Sequence, residues 1–216
     1  MKLMKGILAI GMMMSSAAWA AEGDVNTYNV RVTNLTKGVS FTPLLAATHT
    51  TSIRFFTLGF PASDALADLA EGGATGGLEM LLQDQPDKVL QTATTGGLLG
   101  PGESVSFMID GDDLNNRFSM AGMLLPTNDA FVAIQSMRLP QNGATWFAMA
   151  YDAGSEENDE LCMNIPGPTC GGTPFSEGHA EGFVHPSSGI HGEGDLSASA
   201  HGWNNPVARV TITRMD

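Results

Sequence analysis

From Tyr28 the chain alternates apolar and polar residues with a period of two, Tyr28-Asn29-Val30-Arg31-Val32-Thr33, the pattern of a strand buried on one face. Residues 34–38 then read as a turn. The next apolar run, residues 41–49, contains Pro43, which removes a ladder hydrogen bond and predicts a sheet edge or an extended loop. Residues 53–58 predict a further strand. Ser63 is placed to cap a short Ala/Leu/Asp helix over residues 64–71 that ends at Gly72-Gly73, and residues 78–83 have the composition of a second short helix. Alternation returns in Ser104-Val105-Ser106-Phe107-Met108-Ile109, while residues 117–125 are mostly apolar, as in a central strand. Residues 131–137, 145–151 and 208–214 complete the series. In the last of these Ala208, Val210 and Ile212 share one face and Arg209, Thr211 and Thr213 the other. About eight short strands separated by Gly/Pro/Asn turns, with two accessory helices, predict an all-β, antiparallel β-sandwich.

The first twenty of the 216 residues change the picture of where the chain works. Lys2 and Lys5 precede a Met-rich apolar run, and Ala18-Trp19-Ala20 supplies a small-x-small cleavage site, the layout of a secretory signal. The predicted organisation is a signal peptide over residues 1–20 and one domain over residues 21–216, since about 196 residues suffice for a single core and no low-complexity linker divides them. Beyond the leader no stretch is apolar for the roughly 18 residues that a membrane-spanning helix needs. Losing Lys2 and Lys5 leaves eight basic residues against 23 acidic ones, a formal charge of −15. So acidic a chain repels nucleic acid and other polyanions. In an oxidising compartment Cys162 and Cys170, the only cysteines, are expected to close a local disulfide, two being too few for a structural zinc site.

Candidate chemistry concentrates in residues 124–161, where apolar runs alternate with carboxylates. Asp129 follows an apolar run and a Pro-Thr-Asn turn, and Asp152 and Glu156 flank Ala-Gly-Ser directly after another apolar and aromatic run. If the two runs are neighbouring strands, both loops open at one end and the acids converge there. Hard oxygen ligands of that kind suit Ca2+, which takes six to eight of them. The plainer alternative is the solvated acidic surface of an acidic protein.

Between Cys170 and Trp203 the texture turns to a Gly/His-rich stretch with little periodicity, a loop of functional length. Its His179, His185, His191 and His201, beside Glu181, Glu193 and Asp195, form an alternative site for a transition metal such as Cu or Zn. Their spacings match no zinc signature, and histidines that merely bond the backbone are the other reading. Asp110-Gly111-Asp112-Asp113-Leu114-Asn115 has the acids of an EF-hand loop but lacks Gly at its sixth position and Glu at its twelfth, where Ala121 stands, so a polar turn is expected. No Gly-x-Ser-x-Gly elbow, phosphate loop or His-Glu-x-x-His occurs, and no catalytic residues are predicted.

Six segments together resemble the spondin-domain family: YNVRVTNL at residues 28–35, FTPLLAATH at 41–49, PTNDAFV at 126–132, YDAGSE at 151–156, IPGPTCG at 165–171 and EGFVHPSSGIHGEGD at 181–195. The likeness is to secreted single-domain bacterial members and, more distantly, to the matrix proteins F-spondin and mindin. It implies an antiparallel β-sandwich with Ca2+ bound between loops at one edge, serving extracellular adhesion or recognition without catalysis. In the matrix proteins the ion is held by an acid in a Pro-Ser-Pro-Asp-like turn and two acids in an Asp-Ala-Gly-Thr-Asp-like loop. Those positions fall on Asp129, Asp152 and Glu156, with Glu156 a methylene longer than the family's Asp and Asp159 or Glu160 available in its place. The resemblance implies a secreted protein, periplasmic or extracellular, whose partner is an unidentified extracellular or cell-surface protein or glycan.

Overall fold

The computed structural model describes residues 24–176 and 178–215, so the expected leader lies outside the described residues. Among the described residues ten strands follow in chain order: β1 (Asn26–Asn34), β2 (Ser40–Phe41), β3 (Leu45–His49), β4 (Val89–Thr94), β5 (Ser104–Gly111), β6 (Arg117–Leu125), β7 (Ala130–Arg138), β8 (Gly143–Asp152), β9 (His185–Pro186) and β10 (Ala208–Arg214). Helices α1 (Asp64–Gly72) and α2 (Gly76–Gln83) lie between β3 and β4, and a one-turn α3 (Ala198–His201) precedes β10. The strand order is β4-β3-β6-β7-β8-β10-β1-β5, every pairing antiparallel, with β2 added beside β6 and β9 beside β8.

The two layers of the sandwich are continuous through β8. Its end pairs with β7, from Ala133 opposite Met149 to Ala130 opposite Asp152, and its beginning pairs with β10, from Ala208 opposite Ala148 to Thr213 opposite Gly143. One strand thus turns the corner from layer to layer. At the opposite side the free edges β4 and β5 approach, and side chains bridge the gap: the Asp110 N–H donates to Gln91 Oε1 (2.5 Å), and Thr48 Oγ1 donates to the Asp110 carbonyl (2.6 Å). The sheet is therefore nearly a closed barrel, which leaves little free edge for unwanted pairing.

The reading by periodicity holds where one face is wet and the other dry. In β1, Val30 and Val32 are fully buried and Arg31 between them is exposed. It holds less well in β3, β6 and β7, because both of their faces are covered. Ala46, Phe118, Met120, Val132 and Ile134 join the core between the layers, whereas Leu45, Ala47, Ala121, Phe131 and Ala133 point outward into a second cluster with Phe56, Leu66, Leu69 and Leu78. Helix α1, capped by the Ser63 side chain on the Leu66 N–H and closed by left-handed Gly73, supplies that cover. Strand β3 is accordingly interior, between β4 and β6, and not the edge that Pro43 suggested; the proline sits in the break between β2 and β3, where no ladder donor is needed.

Residues 53–58, expected to be a strand, form none. The Gln135 side chain takes the place of a partner strand: its Oε1 accepts the N–H groups of Phe55 (2.7 Å) and Phe56 (3.0 Å), and its Nε2 donates to the Phe56 carbonyl (2.9 Å). The expected polar turn after β5 is present, with Asp112 Oδ1 accepting from the N–H groups of Leu114 and Asn115. Cys162 and Cys170 form the expected disulfide. Among the described residues no helix is long and apolar enough to cross a membrane.

Candidate metal centre

Asp129 and Asp152 come together because β7 begins where β8 ends. Ala130 is directly opposite Asp152, so Asp129, one residue earlier, stands at the same rim. Thr127 fixes the approach, its Oγ1 donating to the Leu124 carbonyl (2.6 Å) and accepting from the Ala130 N–H (3.2 Å). Asp129 is fully buried. Its Oδ2 accepts the N–H groups of Ser155 (2.8 Å) and Glu156 (3.1 Å), and its Oδ1 has no partner. Burial, reinforced by the negative charge of Asp152, pushes its pKa up to about 7, against the pull of those two N–H groups.

Asp152 is 3% exposed. Its Oδ1 accepts the Gly154 N–H (2.8 Å) in a tight local turn, and its Oδ2 accepts from Asn158 Nδ2 (2.9 Å). Burial raises this carboxyl's pKa as well, with Asn158, Gly154 and His185 pulling the other way. Glu156 is 1% exposed and turns toward another neighbour, its Oε1 accepting the Ser176 N–H while Oε2 is buried without a partner. Burial raises its pKa first, and the charges of Glu71 and Asp159 add to that. Asp129 and Asp152 thus share one rim, while the Glu156 carboxyl faces Ser176 and Glu71, and Asp129 and Glu156 each keep an oxygen that no protein group satisfies. A buried acceptor left unsatisfied is expensive, and a cation is the partner that carboxylate oxygens fit best.

Asp159 and Glu160, the alternates for Glu156, are used otherwise. Asp159 accepts from Asn128 Nδ2 (2.9 Å), the Leu161 N–H (2.9 Å) and Asn164 Nδ2 (2.5 Å), tying the Asp129 turn to the disulfide loop. Glu160 accepts three successive N–H groups, those of His191 (2.5 Å), Gly192 (2.7 Å) and Glu193 (2.9 Å), and so anchors the Gly/His-rich stretch.

Of the four histidines in that stretch, His185 alone comes to the carboxylate rim. It is in β9, in register opposite Asp152. Among the described residues the one set of three ligand atoms lying within 4.8 Å of one another is that of Asp152, Glu181 and His185. His179 and His191 are exposed, and His201 is apart with its Nδ1 buried and unpartnered. Sequence reading had His185 as one of four equals and Glu181 only as a neighbour; the signal that singles them out is a two-residue strand, too short to show a period.

The Spondin_N family model matches residues 13–158, well over half of the chain. That span includes Asp129, Asp152 and Glu156 and stops before Glu181 and His185. No curated protein matches the chain.

Proposed function

The chain belongs to the Spondin_N family, an extracellular-type module, and on that premise we propose that it is an exported, non-catalytic recognition module whose loop rim is fastened by Ca2+ on Asp129, Asp152 and Glu156. The observation that carries this reading is the fully buried Asp129 carboxyl, with one oxygen held by two N–H groups and the other without a partner beside Asp152. Protein carbonyls, waters and carboxylates together meet the six to eight oxygens that the ion takes. A bound divalent cation reverses the repulsion among the acids and joins the turn before β7 to the loop after β8.

The rim then serves as a fixed surface for an extracellular or cell-surface protein or glycan, and the ion's role is to hold that surface in one shape. The disulfide and the family both favour a setting outside the cytoplasm. Thermal melting with calcium tests the reading. At a free concentration 100 times the dissociation constant the gain is about 2.7 kcal/mol, and a melting temperature indifferent to roughly millimolar calcium contradicts it.

A further inference from the structure

We propose that Asp152, Glu181 and His185 form a mixed nitrogen–oxygen site for a first-row transition ion of the zinc class, which clamps the Gly/His-rich loop onto the end of β8. It shares Asp152 with the calcium reading but does not depend on Asp129 or Glu156 as ligands.

The imidazole is set up as a ligand. His185 Nδ1 is 3.0 Å from the Pro186 carbonyl, which only accepts, so Nδ1 carries the hydrogen and Nε2 is left with its lone pair in the neutral ring. Nε2 is buried and has no hydrogen-bond partner. It faces two acceptors, Asp152 Oδ1 at 3.5 Å and Glu181 Oε2 at 4.0 Å. Three electron-rich atoms pointed at one another call for something positive between them.

The spacing selects the ion. Tetrahedral zinc with bonds of about 2.0–2.1 Å sets its ligands roughly 3.3 Å apart, so the observed 3.5 Å and 4.0 Å edges need only slight closure. An imidazole nitrogen suits Zn2+ and its neighbours better than Ca2+, which favours oxygen alone. The outer groups are in place too: Asn158 Nδ2 donates to Asp152 Oδ2 (2.9 Å) and Glu181 Oε1 (3.3 Å), holding the far oxygens of both carboxylates and leaving Oδ1 and Oε2 toward His185. Fully buried Asp129, its Oδ1 unpartnered, stands beside Asp152 at the same rim. The Glu181 side chain is 37% exposed, which leaves the ion a way in from solvent.

Calorimetric titration of the folded protein with Zn2+ at neutral pH tests this, alongside calcium melting of the same samples. One Zn2+ per chain is expected, with affinity falling at least about tenfold in both His185→Ala and Glu181→Gln while the calcium shift persists. Glu181→Gln guards against a folding defect, because more than a third of that side chain is in solvent. Zinc affinity unchanged in both variants, no zinc binding by the wild type, or affinity lost instead in His191→Ala or His201→Ala overturns the proposal and leaves the calcium reading standing. Zinc binding through His185 with no calcium shift in any sample overturns the calcium reading alone.

Discussion

The backbone N–H of Glu156 donates to Oδ2 of Asp129 across 3.1 Å, so the acid that opens β7 is held by the loop that carries the third carboxyl. An amide oxygen at residue 129 can still accept that bond, but it brings no charge. Asp129→Asn is therefore expected to leave the ion-free melting temperature at neutral pH at or above that of the wild type, since the repulsion with Asp152 disappears as the acceptor is kept. The same variant should lose the calcium-induced shift. Paired melting curves with chelator and with calcium check both halves.

With chelator present, the buried acids should give an unusual pH dependence. Burial and the neighbouring Asp152 charge raise Asp129 from 3.8 to about 7, and burial raises Asp152 and Glu156 in the same direction. Between about pH 4 and pH 7 the folded chain holds a proton that the unfolded chain has released, so stability is greatest at the acidic side of that window. It should fall as pH rises, by on the order of 2–4 kcal/mol, and level off above about 7. If the ionised carboxylates take calcium as proposed, saturating ion should abolish or reverse the slope. Urea unfolding at pH 4.5 and 7.5, with chelator and with calcium, measures it.

Gly154 is required by two neighbours at once. It has φ of +64°, and a Cβ there would lie 2.4 Å from the Phe183 carbonyl oxygen. Its own carbonyl accepts the Gly182 N–H (2.8 Å), which docks the chain between Glu181 and His185. Gly154→Ala should destabilise by at least about 1–3 kcal/mol. Hydrogen exchange should show residues 182–186 losing protection before the rest of the sheet.

The disulfide closes a loop of about nine residues, for which chain entropy gives on the order of 2–3 kcal/mol. Reduction, or Cys162→Ala with Cys170→Ala, should lower stability by that amount. The loss should stay local, because the Asp159 and Glu160 hydrogen bonds still hold the chain just before the loop. Denaturant midpoints of oxidised and reduced protein give the comparison.

What the sequence made legible follows the length of each pattern. Alternation in β1 and β10 and the apolar run of β6 read as strands, and Ser63 with Gly73 bounded α1. The convergence of Asp129 and Asp152 was foreseeable once two adjacent strands were granted, because an antiparallel pair puts the start of one beside the end of the other. Residues 53–58 misled because a glutamine side chain supplies the hydrogen bonds that a strand would have made. Residues 89–94 form the outer strand β4 with no alternation to announce it. Nothing in the sequence separated His185 and Glu181 from the other histidines and acids of their loop, their places being set by two residues of pairing and a glycine-permitted close approach.

The calcium ion proposed for the rim of buried carboxylates is open to direct counting. Equilibrium dialysis against radioactive Ca2+, carried up to roughly millimolar free ion, counts it directly. The expected result is one Ca2+ per wild-type chain and none in Asp129→Asn or Asp152→Asn. No calcium on the wild type, or equal binding by all three proteins, contradicts the account.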